Sequence, residues 1–246
     1  FQNNSVETKV MNSYYGSDVN TPINLKNEKT IFSDESTIET AYQYAYEKGN
    51  QKLIDANMVG IPLDTEVKKD GKTISKAETK YDNPVNLLPS SVLSYNMQSN
   101  TPSTEVTYDI YDGKRNLIQY TTKAGVSTSI IWGYNQTQPI AKIEGAKLSD
   151  ITQTLINSIV NASDDTNANY SESTLLNQLD AFRIALPNFQ ISTYTYKPLI
   201  GVTTITPPSG IREYYFYDTA NRLESVKTNE NGVLTTLKEY QYHYKP

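Results

Sequence analysis

A chain of 246 residues without cysteine excludes a disulfide scaffold, a thiol nucleophile and a thiolate metal site, yet it is long enough to bury a sizeable core as one large or two small domains. Its formal charge of −5 and unclustered Lys and Arg argue against nucleic-acid binding, which needs a concentrated basic surface. No apolar run approaches the ~20 residues required to span a bilayer.

Residues 1–35 are polar, Asn-rich and weakly patterned, with short strands expected around Glu7 to Val10 and Pro22 to Leu25. Ser36-Thr37-Ile38-Glu39 has the form of a capping box. It predicts a helix through Ala41, Tyr44 and Ala45 toward Leu53 and Ile54, with Gly49-Asn50 as an interruption and Gly60-Ile61-Pro62 as its end.

From Pro62 to Tyr134 the pattern is strand after strand. Asp70-Gly71 between Glu66 to Lys69 and Lys72 to Lys80 is a hairpin signal, and Val106, Tyr108 and Ile110 alternate with Thr107, Asp109 and Tyr111. Ala124-Gly125 separates Leu117 to Thr122 from Ser127 to Tyr134. This spacing predicts a meandering antiparallel sheet.

Residues 147–187 break the rhythm. Ile151, Leu155, Ile156, Ile159 and Val160 fall at helical spacing, and Leu175, Leu176, Leu179, Phe182 and Leu186 form a second helical run before Pro187. An inserted helical hairpin follows, covering a face or capping an end of the sheet. Strands are expected again at Ile191 to Tyr196, Gly201 to Ile205, Ile211 to Tyr217, Leu223 to Thr228 and Val233 to Tyr244, with Asn231-Gly232 as a turn. The organisation is thus an N-terminal polar segment with a helix (1–60), a β segment (61–146), the helical hairpin (147–190) and a second β segment (191–246). With no initiating Met and no leader, the chain is read as a piece of something longer.

One phrase recurs three times: Tyr81-Asp82-Asn83-Pro84-Val85-Asn86-Leu87, Tyr111-Asp112-Gly113-Lys114-Arg115-Asn116-Leu117 and Tyr217-Asp218-Thr219-Ala220-Asn221-Arg222-Leu223. Joining two strands, Tyr would end the first as a large ring with a polar tip, and Asp would bond to the turn's own amides. Gly113, Asn116 and Asn221 tolerate the left-handed backbone of a tight reversal, and Leu87, Leu117 or Leu223 would open the next strand. Aromatics close the last two units at Trp132 and Tyr134 and at Tyr240 and Tyr242. A repeated unit of this kind buries its apolar face by stacking on its neighbours.

Catalytic chemistry is sparse. The single His243 sits in an alternating terminal string and reads as a sheet residue, nothing resembles a nucleophile elbow, and no His pair has metal-ligand spacing. Asp109 with Asp112, and Asp164 with Asp165 near Asn167, are paired acids that a glycosidase or a calcium site uses; turn chemistry and loop solvation are the alternative readings. Tyr214-Tyr215-Phe216-Tyr217 and Trp132-Gly133-Tyr134 form either a platform for sugars or proteins or cross-strand packing. No cofactor and no metal is expected.

The Tyr-Asp phrase, with its Gly or Asn turn, Arg-Leu, Gly and closing Tyr-x-Tyr, resembles the YD repeats of the bacterial rearrangement hotspot (RHS) family. Two stretches carry the likeness: Tyr108 to Ala146, with Ile131-Trp132-Gly133-Tyr134-Asn135 and Gln138-Pro139-Ile140-Ala141-Lys142-Ile143-Glu144, and Tyr194 to Tyr244, with Tyr196-Lys197-Pro198-Leu199-Ile200-Gly201-Val202-Thr203. The resemblance implies a mainly β chain: an antiparallel YD-repeat strip, part of an RHS-type shell, with an inserted helical hairpin and one N-terminal helix. It implies a non-catalytic segment of a secreted or cell-surface bacterial protein that encloses, presents or exports a neighbouring domain, in some cases a toxin. Partners would be neighbouring domains of the parent protein, with secretion machinery or a cell-surface ligand besides. Many such shells end in a self-cleaving Asp-Pro-x-Gly core, and here Pro207-Pro208-Ser209-Gly210 has Pro207 in place of the Asp. The readings set against it are an adhesin or glycan-binding module, suggested by the Tyr-rich acidic surface, and a carboxylate-using hydrolase.

Overall fold

In a computed structural model, residues 8–16, 22–165, 172–230 and 232–242 are described, and His243, Asn167 and Asn231 fall outside them. The chain is mainly β: fifteen strands, three α-helices and one short 3-10 turn (Leu148–Asp150) among the described residues. It divides into two units, Phe1–Tyr108 and Asp109–Pro246, with the boundary inside the strand Pro102–Tyr111.

The first unit carries β1 (Lys9–Tyr14), β2 (Leu25–Ile31), β3 (Thr37–Gln43), β4 (Asp64–Lys69), β5 (Lys72–Lys80), β6 (Ser91–Tyr95) and β7 (Pro102–Tyr111). Each strand pairs antiparallel with the one before it. Positive φ at Asp70 (48°) and Gly71 (76°) gives the two-residue reversal whose twist matches the strands it joins, so Lys69 faces Lys72.

The long helix expected from the capping box is not there. Residues 37–43 are β3, paired with β2 through Ile31↔Thr37 and with β4 through Ile38↔Lys69. Thr37, Ile38, Thr40 and Tyr42 are strand formers, and hydrogen-bonded neighbours on both sides outweigh a local capping signature. Glu35, at φ 66°, belongs to the β2–β3 turn, closed by Phe32 N–H donating to Ser36 O (3.0 Å). Helix is confined to α1 (Gln51–Asp55), where Asn50 Oδ1 accepts from Leu53 N (3.2 Å). Its Leu53 packs with Ala45 and Leu63 in a small core that Ile54, Met58, Tyr81 and Leu87 flank.

The second unit carries β8 (Leu117–Thr122), β9 (Ser127–Gly133), β10 (Gln138–Glu144), β11 (Gln190–Lys197), β12 (Gly201–Thr206), β13 (Glu213–Tyr217), β14 (Leu223–Glu230) and β15 (Val233–Glu239), again an antiparallel meander. Between β10 and β11 the chain leaves the sheet to form α2 (Gln153–Asp164) and α3 (Glu172–Ala185). It then returns to pair where it left, with Glu144 opposite Gln190 and Ile143 opposite Ile191. Such an excursion costs little because closure entropy grows slowly with length.

The helices share one apolar core with the sheet: Ile131, Ile140 and Ile143 below, Ile159, Leu175, Leu179 and Phe182 above. Gly133 makes the close approach possible, because a Cβ there would collide with Ser163 Oγ at the end of α2 and with Ile140. Among the described residues no helix is long and apolar enough to cross a membrane.

Candidate functional site

Two of the three Tyr-Asp phrases fold into the same corner. β7 ends at Tyr111, Asp112 N donates to Asn116 O (2.9 Å), Arg115 N donates to Asp112 O (3.0 Å), and β8 begins at Leu117. Asp112 Oδ1 accepts from Lys114 N (2.9 Å) and Asn116 N (2.8 Å), and its Oδ2 accepts from Asn116 Nδ2 (3.0 Å). At the other corner β13 ends at Tyr217, Asp218 N donates to Arg222 O (2.9 Å), Asn221 N donates to Asp218 O (2.9 Å), and β14 begins at Leu223. Asp218 Oδ1 accepts from Ala220 N (2.8 Å) and Arg222 N (2.9 Å), and Oδ2 from Arg222 Nε (2.8 Å).

The shared chemistry is a carboxylate that satisfies two amides of its own turn while a residue with positive φ, Arg115 at 72° or Asn221 at 60°, reverses the chain. Backbone and side-chain hydrogen bonds from Arg222 hold the Asp218 carboxyl below the usual carboxylate range. Tyr217 reaches across to donate to Val202 O (2.9 Å), and its phenol lies where a Cβ on Gly201 would be.

The phrase at Tyr81 folds differently, and Pro84 is the reason. It stands two residues after Asp82, where the other corners supply an amide to the aspartate, and proline has no N–H. An external cation organises the loop instead: Lys52 Nζ on α1 donates to the carbonyls of Tyr81 (2.8 Å), Asn83 (2.6 Å) and Asn86 (2.9 Å). Tyr81 and Leu87 pack on the Leu53 core, Leu87 opens no strand, and β6 starts only at Ser91.

A charged cluster in the first unit escaped the sequence reading. Asp64 and Glu78 are buried and face each other across β4 and β5, an arrangement that like charges oppose. Lys48 lies between them, its Nζ 2.8 Å from Glu78 and 3.5 Å from Asp64; Lys80 is 3.0 Å from Glu78 and Lys76 is 3.5 Å from Asp64. Tyr95 Oη donates to Glu78 Oε2 (2.7 Å). Burial pushes the Glu78 carboxyl up, but hydrogen bonds from Lys48, Tyr95 and Lys80 outweigh it and hold the group down at about 2. The same bond, together with burial, drives the Tyr95 phenol up to about 12. The available signal was period-two charge in Asp64, Glu66 and Lys68 and in Lys76, Glu78 and Lys80.

The remaining candidates are engaged separately. Asp109, exposed on β7, accepts from Gln119 Nε2 (3.1 Å) and Thr121 Oγ1 (2.7 Å), whereas Asp112 serves its corner, so the two acids have different partners. Asp164 Oδ1 accepts from Asn135 N (2.7 Å). Tyr134 and Tyr196 meet edge to face with centroids 5.7 Å apart, Tyr134 Oη accepts from Tyr196 N (2.9 Å), and burial pushes the Tyr196 phenol up to about 12. Pro207 to Gly210 is a turn in which Gly210 N donates to Pro207 O (2.9 Å) and Arg183 holds Pro208 O (3.2 Å).

No family model and no curated protein matches the chain. Among solved structures it is similar to the TcdB2-TccC3 complex with Cdc42, at 12% identity and TM-score 0.41, over 89% of this chain and 12% of that one. TcdB2-TccC3 without its hypervariable C-terminal region is similar at 13% identity and TM-score 0.41, over 84% of this chain and 11% of that one. The Photorhabdus luminescens Tc holotoxin pore is similar at 12% identity and TM-score 0.38, over 89% and 12%. The chain therefore spans only about an eighth of the length of the structures it matches.

Proposed function

We propose that this chain is a non-catalytic wall segment of a large RHS-type repeat protein, secreted or on a bacterial cell surface, whose stacked strands enclose, present or export a neighbouring domain. The observation that carries the reading is the pair of equivalent corners at Asp112 and Asp218. A chain that builds the same joint twice, from the same residue types and the same bonds, is using it as a building element. Of the paired acids a hydrolase would use, Asp112 is committed to turn amides and Asp109 accepts from the Gln119 and Thr121 side chains. The mechanism is geometric: continuous strand pairing closes edges and leaves a surface on which a passenger is held.

Limited proteolysis of the parent protein tests this. The neighbouring domain should resist protease beside the wild-type segment and become cleavable when Asp112→Ala and Asp218→Ala are combined. Equal cleavage in both proteins, with the segment folded, would refute the enclosing role.

A further inference from the structure

We infer that a cleft between β12 and β13 binds a neutral sugar ring. Pairing between these strands is limited to Thr204↔Tyr214 and Ile205↔Glu213. Beyond it, Gly201–Thr203 and Tyr215–Tyr217 part, bridged by Tyr217 Oη on Val202 O, and a cavity of about 270 Å³ opens beside the first turn of α3. Glu172, Lys197, Thr203, Thr204, Tyr214 and Phe216 are among its lining residues.

Its hydrogen bonds show what this cavity offers. Glu172 Oε1 accepts the hydroxyls of Thr195 (2.6 Å) and Thr203. Thr195 Oγ1 also lies 2.8 Å from Thr203 Oγ1 and 2.7 Å from Thr204 Oγ1, so the three hydroxyls and the carboxylate form one connected network. What is left for a ligand is Glu172 Oε2, which takes no hydrogen bond from the described residues. The cavity sets the open Glu172 acceptor, the Tyr214 hydroxyl and the Lys197 ammonium beside half-buried aromatic rings, and it calls for a polyhydroxy ligand with an apolar face.

Charge narrows the class. Lys197 at the rim and Lys227, whose Nζ is 5.0 Å from the Phe216 ring centroid, oppose a cationic side chain. Glu172 opposes an anion, and a hydrocarbon would strand its second oxygen. A hexopyranose satisfies all of these, its hydroxyl edge on Glu172 and its C–H face on Tyr214 or Phe216. The cleft is independent of the wall reading, and the protease experiment does not bear on it.

Saturation-transfer NMR and titration of the full chain with methyl α-mannopyranoside, methyl β-galactopyranoside and methyl N-acetyl-β-glucosaminide test the site. At least one should bind at millimolar concentration. Glu172→Gln should weaken binding about tenfold or more, because it removes a charged acceptor. Tyr214→Ala should cost up to about tenfold and Tyr214→Phe little, if the ring face is what counts. Glu28→Gln, at an exposed position of β2, should change nothing. If Tyr214→Ala does not fold, Glu172→Gln and Tyr214→Phe decide. No binding of any of the three glycosides, binding unchanged in Glu172→Gln, or preferential binding of N-acetyl-arginine amide would each overturn the assignment.

Discussion

Trp132 donates its indole N–H to the carbonyl of Leu117 (3.0 Å), the residue that opens the strand after the Asp112 corner. The second repeat makes the same tie with a different ring: Tyr242 Oη donates to Leu223 O (2.8 Å), and Arg222 lies 4.4 Å from the Tyr242 ring centroid. Each of these two corners is thus fixed twice, from within by its aspartate and by an aromatic ring further along the chain, Trp132 or Tyr242. That aromatic needs only a donor and a large ring, so Trp and Tyr are interchangeable in the role.

If the aspartate builds the corner, Asp112→Ala should destabilise the second unit by about 1–2 kcal/mol in urea unfolding, because two turn amides lose their acceptor. Asp218→Ala should shift the midpoint in the same direction. Asp82→Ala should stay within about 0.5 kcal/mol, since Pro84 leaves that carboxylate without the corner's amide. Equal losses at all three positions would contradict the corner chemistry.

Lys52→Met should loosen the loop at Tyr81, since three carbonyls lose a charged donor at once, at a cost of about 2–3 kcal/mol. Hydrogen exchange at the amides of Val85 and Leu88, which are bonded to Asn83 Oδ1 and Asn86 Oδ1, reads this directly. Exchange unchanged at both would show that the loop holds itself.

The Glu78 network gives a pH dependence with a definite sign. Its carboxyl is held below its ordinary 4.5, at about 2, so its contribution is fully present above the ordinary value and is lost as pH falls from about 4.5 through about 2. Urea midpoints of the wild type should fall across that window, and Glu78→Gln should flatten the fall. An unchanged profile in Glu78→Gln would assign the acid sensitivity elsewhere.

Gly201→Ala should be destabilising by about 1–3 kcal/mol because its Cβ meets the Tyr217 phenol. Tyr217→Phe removes the nearest atom, so the double variant should lose less than the sum of the single variants. Strict additivity in the cycle would show that the two residues do not touch.

What was legible in the sequence was local. The Asp70-Gly71 and Ala124-Gly125 hairpins and the two insert helices are written in short windows, and the structure has them at Lys69↔Lys72, between β8 and β9, and at Gln153–Asp164 and Glu172–Ala185. The capping box at Ser36 misled because strand pairing with β2 and β4 acts over distances that no window sees. β1 and β2 overlap the expected Glu7 to Val10 and Pro22 to Leu25 only in part and run on to Tyr14 and Ile31, in weakly patterned sequence where polar residues alone set no register, and Glu7 lies outside the described residues. Pro84 was visible from the start, but its meaning depends on knowing which amide the aspartate uses. The Lys48 network was hidden because its cation comes from a turn and its acids from two separate strands.

Amide hydrogen exchange at Lys114, Asn116, Ala220 and Arg222 tests the corner account most directly. Protection should be present in the wild type, fall at Lys114 and Asn116 in Asp112→Ala alone, and fall at Ala220 and Arg222 in Asp218→Ala alone. Protection that survives both substitutions would mean that the aspartates decorate turns built by something else.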